Sequence, residues 1–324
     1  MLSDQLTYLV FGIVLLVALI LDLGLLSKKS TTISIKKALL QTILWVILAF
    51  LFFGFLWYGN GHVVALEYLS AYLMEWSLSI DNIFIFILIF SFFGVREKYY
   101  ARALLIGILM AIGLRILFIT IGIELIERFH WLLYVFGAII LITGIRMFSV
   151  KGDEEQNLGE SKIYKFLKRF LPLTNDEAEG KFSVIKSGKR YYTNMFVVII
   201  MLATTDLIFA LDSIPAVFAI SQNPLVIYTS NIFAVLGLRS LFFLLKGAVN
   251  KFRYLQQGIA IVLIFIGLKM LAEIFHFELP VYVSLLVIFL CLTASILYSI
   301  NKGGKVEMKN KYNEAGNNNN NKGN

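Results

Sequence analysis

The chain has 324 residues, of which 59% are hydrophobic and 15% charged, with a formal net charge of +8 and a mean hydropathy of +0.79. A soluble domain of this length would carry nearer ~25% charged residues, so these values exclude a water-facing globular fold. The basic excess does not imply a nucleic-acid partner, because Lys and Arg on cytoplasmic loops account for it in a chain that crosses a bilayer repeatedly.

A helix needs roughly 20 apolar residues to cross a ~30 Å hydrocarbon core. Nine runs qualify, at about 7–26, 38–58, 68–93, 103–123, 131–149, 194–221, 224–245, 256–276 and 280–299. The first has only Asp4 charged ahead of it, with no basic residue before the run, and the chain continues into more spans, so it reads as a span rather than a signal peptide. Basic loops alternate along the chain. Lys28, Lys29, Lys36 and Lys37 follow run one, and Arg96, Lys98 and Arg102 follow run three. The loop 150–192, Lys246, Lys251 and Arg253, and the tail lysines continue the pattern. The intervening turns are poor in base, which places the N-terminus outside and the C-terminus in the cytoplasm. The expected fold is an all-α polytopic transmembrane bundle of about nine spans. It forms one domain over 1–310, with a low-complexity Asn-rich tail at 311–324. Within 150–192, the segment 163–171 is basic and amphipathic, suited to a membrane surface or to packing on the bundle.

An internal repeat is legible across the middle of the chain. Run three reads EWSLSIDNIF from Glu75 and run six reads DLIFALDSIP from Asp206. Each carries two acids six positions apart, followed by a small polar residue, Asn82 or Ser213. GLRILF with Arg115 then answers GLRSLF with Arg239, and GIRMF at 144–148 answers GLKML at 267–271. Three features recur in one order, giving repeat one at about 67–149 and repeat two at about 193–276. An odd number of spans per unit inverts the second copy relative to the first, a plan that puts substrate near the bilayer midplane.

Four carboxylates, Glu75, Asp81, Asp206 and Asp212, fall near the middle of these spans. Each costs ~2.5–3.5 kcal/mol on insertion scales unless it lines a polar cavity, binds a cation or takes up a proton. Charge balance by Arg115 and Arg239 leaves roughly two negative charges, which a divalent cation or two protons would neutralise. Oxygen ligands without His or thiolate favour Mg²⁺, Ca²⁺ or Mn²⁺. Six residues turn a helix by about 600°, so the two acids of one helix point ~120° apart and cannot share an ion on a straight helix. Pro215 offers a helix break beside Asp212 that would free carbonyls as ligands. Asp81 and Asp212 are the leading metal ligands. Glu75 and Asp206 are ligands, salt-bridge partners or proton carriers. Asn82, Ser213, Thr204, Thr205 and Asn231 are neutral ligands, supporting groups or simple interhelical hydrogen-bonders. His62, His130 and His276 fall at outer helix ends. The single Cys291 precludes an intramolecular disulfide. No nucleotide-binding loop or hydrolase motif occurs, so the chain is not expected to be an enzyme.

At these residues the sequence resembles the TerC family, specifically its Alx-type members. The resemblance runs from the first span to about residue 300. It is carried by EWSLSIDNIFIF (75–86), ERFHWLLYVFGA (127–138), TTDLIFALDSIPAVFAI (204–220) and TSNIFAVLGLRSLFFLL (229–245). It implies a multi-pass protein of a bacterial inner membrane or plastid, tied to manganese export, manganese supply to exported proteins and tellurite resistance. The repeat plan is also similar to that of LysE-type exporters. Many relatives have glutamate where this chain has Ala203. The function expected is export of divalent metal, foremost Mn²⁺, by alternating access, with proton coupling an open alternative and no permanently bound cofactor. The competing reading is a non-transporting membrane factor serving metalation of exported proteins, redox modulation or tellurite resistance. The sequence leaves the oligomeric state open. The orientation is testable: alkaline phosphatase fused after Gln222 should be active, and fused after Lys151 or Lys302 inactive. The opposite pattern would reverse the topology.

Overall fold

A computed structural model describes residues 4–26, 33–149, 162–174, 180–186, 188–246, 255–275 and 279–299. The Asn-rich tail, His276 and most of the first part of the long loop lie outside them. The described residues form ten α-helices. They are α1 (Asp4–Leu26), α2 (Ile35–Gly59), α3 (His62–Phe92), α4 (Tyr100–Arg128), α5 (Leu132–Ser149), α6 (Lys162–Phe170), α7 (Asn194–Phe218), α8 (Pro224–Leu245), α9 (Leu255–Ala272) and α10 (Val281–Ser299).

Six segments are long and apolar enough to cross a bilayer: Ile35–Gly59, His62–Phe92, Glu97–Arg128, Asn194–Phe218, Pro224–Leu245 and Val281–Ser299. Shorter apolar stretches lie in α1, α5 and α9. The protein is an all-α membrane helix bundle. Its outer surface agrees with a lipid solvent, since Leu9, Leu40, Leu51 and Leu297 are each at least 60% exposed. Such side chains on a water-facing surface would forfeit burial energy; facing acyl chains they do not.

Helix ends fall where local chemistry sets them. The α2–α3 turn passes through Gly61 at φ 98°, a left-handed conformation cheap only for glycine. Chain reversal at Gly61 is complete by His62, so α3 starts six residues ahead of the apolar run that announced it. At the start of α8, the Asn223 side chain accepts the Leu225 N–H at 3.0 Å and Pro224 takes the first helical position. The long loop holds α6, close to the expected amphipathic segment, and a small sheet that periodicity did not announce. Its strands, β1 (Leu173–Thr174), β2 (Ser183–Lys186) and β3 (Lys189–Thr193), lie in the order β1-β3-β2. The β2–β3 pair is antiparallel, β1–β3 parallel. This unit docks on the loop-side ends of α3 and α4. Tyr164 meets the Phe93 ring at 5.3 Å, and Arg102 lies over Phe182 at 4.6 Å.

The bundle core is α8, whose apolar window is 94% buried, as expected of a helix that is apolar all round. It packs on α2, α3 and α4, while α4 and α3 both contact α7. Phe11, Phe52, Tyr68 and Phe233 join α1, α2, α3 and α8 in one aromatic cluster, with centroids 5.4–5.6 Å apart for the Phe11–Phe52, Phe11–Phe233, Phe52–Tyr68 and Phe52–Phe233 pairs.

Helices α5 and α9 pack directly through glycine. A Cβ on Gly144 would fall 2.9 Å from the Ile264 nitrogen and 3.0 Å from the Ala260 oxygen. A Cβ on Gly267 would fall 2.7 Å from the Leu141 nitrogen and 2.9 Å from the Gly137 oxygen. Residues 144 and 267, 141 and 264, and 137 and 260 each differ by 123, so the two sets of contacts are copies with the helices exchanged. Rising numbers on α5 meet falling numbers on α9, hence the pair is antiparallel. Gly267→Leu should therefore force the helices apart at a cost of about 1–3 kcal/mol. It would be read as a lowered thermal midpoint of tryptophan fluorescence in detergent; an unchanged midpoint would contradict the close approach.

Candidate functional site

The crossing of α3 and α7 gathers the polar residues of the interior. Asn82 Nδ2 donates to Asp206 Oδ1 at 3.3 Å, and Ser213 Oγ donates to Glu75 Oε1 at 3.3 Å. Positions 82 and 213, like 75 and 206, differ by 131, so these two bonds are also copies with the helices exchanged. The small polar residue after the second acid of each helix thus serves the first acid of the other. This explains the acid–six–acid–small-polar spacing better than shared coordination within one helix, which helical geometry forbids.

One guanidinium joins the two acids. Arg115, from α4, donates from Nε to Asp206 Oδ2 at 2.7 Å and from Nη2 to Asp206 Oδ1 at 3.2 Å. Its Nη1 donates to Glu75 Oε1 and, at 3.2 Å, to Asn231 Oδ1 on α8. Glu75 is 0%, Arg115 1% and Asp206 2% exposed. In so enclosed a place two carboxylates of like charge repel strongly, and a planar guanidinium that grips one with a two-pronged fork and touches the other holds them together. Glu75 Oε2, Asn82 Oδ1 and Asn231 Nδ2 have no hydrogen-bond partner among the described residues. Arg239 is buried as well.

The structure therefore places Glu75 and Asp206 as salt-bridge partners, one of the roles open to them from sequence, with Asn82, Ser213 and Asn231 in the same network. The backbones of Asp81 and Asp212 continue α3 and α7, but their side chains lie outside the described residues. Thr204 turns back on its own helix, donating to the Ile200 carbonyl at 2.6 Å, and Thr205 is half-buried. The opening expected at Pro215 is not seen. The proline lies inside α7 only three residues from its end at Phe218, and its carbonyl accepts the Ala219 N–H at 3.1 Å. A proline in a final turn removes one hydrogen bond without parting the helix around the acids. Among the described residues, no group of three or more His, Cys, Asp or Glu side chains is gathered as a metal site.

Sequence reasoning missed Glu67 and Lys269. Glu67, on α3, accepts the Ser221 hydroxyl at 2.5 Å, and Lys269 Nζ on α9 donates to the Ala219 carbonyl at 3.2 Å. Both tie neighbouring helices to the α7–α8 turn. Lys269 stood within the repeat motif GLKML, and Glu67 at the edge of an apolar run; charge placed there was the available signal. A cleft of about 240 Å³ beside this turn is lined by Glu127, His130, Phe218 and Gln222, with Ile123 and Ile126. None of its lining residues belongs to the Arg115 cluster.

Comparison with known proteins places this arrangement in a family. The description of the integral membrane protein TerC family matches residues 60–305. The chain belongs to the TerC family. It is 42% identical over 284 residues to the membrane protein STKORF319 of Myxococcus xanthus, covering 88% of each chain. It is 41% identical over 296 residues to Alx of Salmonella typhi, named as a proposed membrane-bound redox modulator, with 89% of this chain and 91% of that protein covered. Alx of Escherichia coli K12, under the same name, is 39% identical over 288 residues, covering 86% and 89%. No solved structure matches the chain. The TerC match spans every residue of the Arg115 network. Arg115→Leu should strip the pair of acids of its counter-charge and cost ~3–5 kcal/mol. Asn82→Ala and Ser213→Ala should each cost ~1 kcal/mol, and about equally, because they remove equivalent bonds. Unfolding in a denaturing detergent series checks both; unequal losses for the two amide and hydroxyl variants would refute the equivalence.

Proposed function

We propose that this TerC protein exports divalent metal ions, foremost Mn²⁺, across a bacterial inner membrane by alternating access of two inverted three-helix units. The observation that carries the reading is the reciprocal pair of hydrogen bonds at the α3–α7 crossing, Asn82 to Asp206 and Ser213 to Glu75. It supports a site shared equally by two related units, as alternating access requires. The copied glycine contacts of α5 and α9, in antiparallel helices, support inversion of one unit relative to the other.

The chemistry of the donors supports the cargo class. Buried carboxylates, side-chain amides and hydroxyls are hard oxygen donors suited to Mn²⁺, Mg²⁺ or Ca²⁺, and the family resemblance narrows these to Mn²⁺. Asp81 and Asp212 are the proposed first ligands, with Glu75 and Asp206 joining them when freed from Arg115. Carboxylates that release a cation can take up protons, so proton antiport fits the same groups. The protein is proposed to be a carrier rather than an enzyme, with no resident cofactor, its N-terminus outside and its C-terminus in the cytoplasm.

A second reading rests on the names of the Alx relatives and on the occupation of Glu75 and Asp206 by Arg115. On it, the protein is a non-transporting membrane factor that modulates redox state or metalation of exported proteins. One cysteine per chain, Cys291, supplies no dithiol for direct redox work. Cellular Mn²⁺ and manganese tolerance measured for wild type, Asp81→Asn and Asp212→Asn at equal expression separate the two. Export by wild type and its loss in both variants is expected. Variants that export like wild type would remove the acids from the transport path, and a wild type without export would favour the second reading.

A further inference from the structure

We infer that Arg115 is a tethered counter-cation that occupies the cargo's place between Glu75 and Asp206 whenever the site is empty, so that the ion and the guanidinium exclude each other. The inference rests on the transport reading above and adds to it how the empty carrier is made stable enough to return.

Charge is the first argument. Glu75, Asp206 and Arg115 are all within 2% of complete burial, so the guanidinium already lies where a cation bound by these two acids would be. A divalent cation entering with the arginine in place would sit against a second enclosed positive charge; entering as the arginine leaves, it would not. Like charges repel strongly where water is excluded, so exchange is favoured over coexistence between these two acids.

Geometry is the second. Three of the four guanidinium hydrogen bonds go to carboxylate oxygens and the fourth to the Asn231 amide oxygen. These are the oxygen types a hard cation would use, and each is already claimed by a donor. Two more buried oxygens, Glu75 Oε2 and Asn82 Oδ1, have no hydrogen-bond partner among the described residues. The cluster thus holds acceptors beyond what the guanidinium satisfies, as a site built for a second, smaller cation would.

The nature of the group is the third. A guanidinium stays protonated in proteins, so it cannot vacate the carboxylates by losing charge; it must swing away. Arg115 belongs to α4, packed against α7 and α8, and its long side chain can move without unfolding either. The consequence is kinetic. With Arg115 home, the empty site is compensated and can change its facing without cargo, so net export needs no second metal ion on the return. Without it, the bare carboxylates would hold the carrier until an ion is rebound, leaving exchange only.

The test uses the full-length chain purified in detergent and reconstituted in liposomes, with Mn²⁺ as the probe at mildly alkaline pH. Wild type, Arg115→Gln and Arg115→Lys are compared by calorimetric titration and by labelled Mn²⁺ net flux against Mn²⁺–Mn²⁺ exchange. Arg115→Gln should bind at least about tenfold more tightly than wild type, as expected for removal of one competing buried charge. Arg115→Lys should fall between them, since an ammonium cannot fork across both acids. Arg115→Gln should lose net flux while keeping exchange, and Arg115→Lys, which keeps the charge, should lose only part of its net flux. Equal or weaker binding in a monodisperse variant, or retained net flux in Arg115→Gln, would overturn the inference. Should Arg115→Gln fail to fold, Arg115→Lys decides in its place by the same two readouts, because it keeps the buried positive charge. A wild type that neither binds nor moves Mn²⁺ would bring down the transport reading itself, a different result from a competent wild type with indifferent variants.

Discussion

The interior of this protein depends on two carboxylates from different helices sharing one guanidinium. Glu75 and Asp206 are both buried, and Arg115, paired with each, offsets the repulsion between them in so enclosed a place. Their pairing fixes where α3 crosses α7, and the source of the arginine fixes α4 against that crossing. Asn231 accepts from the same guanidinium, which draws α8 into the cluster. Four helices are therefore positioned by a single charge set. In a bilayer this matters more than in water, because apolar helices gain little from one another that lipid would not supply. Close packing at Gly144 and Gly267 does the equivalent work between α5 and α9.

Much of this was legible in the sequence, and for definite reasons. Apolar run length marks membrane helices directly, so the ends of α5, α7, α8 and α10 fall within a few residues of where the runs predicted them. The acids, Arg115 and the small polar residues stood out because charge inside an apolar run is costly and is kept only for cause. Their pairing was not legible. Helix periodicity sends two acids six residues apart in different directions, and the partner of each first acid is contributed by the other helix. Nothing local to Glu75 says that Ser213 is its donor. Only the recurrence of the pattern, read together with an antiparallel crossing, could have said so. Pro215 misled for a related reason: a proline is a break only where the helix continues well beyond it, and α7 ends one turn later. The small sheet in the long loop was missed because strands of two, four and five residues, β1, β2 and β3, carry too little periodicity to register.

The frame is symmetric, and its symmetry bears on function. The hydrogen bonds of Asn82 and Ser213, and the glycine contacts of α5 and α9, are unchanged when the two helical triplets are exchanged. The guanidinium between these two acids comes from the first triplet, and its repeat counterpart, Arg239 of the second, is buried as well. A symmetric frame can rock between two equivalent states with little difference in packing energy. A scaffold with no moving parts would have no use for such an arrangement: apolar residues of similar volume would fill the same space at equal or better stability. Retaining three buried charges and three buried polar side chains at the centre of the bundle is costly for stability alone. It is intelligible if the charges part and rejoin, with an ion or a proton taking the arginine's place in between.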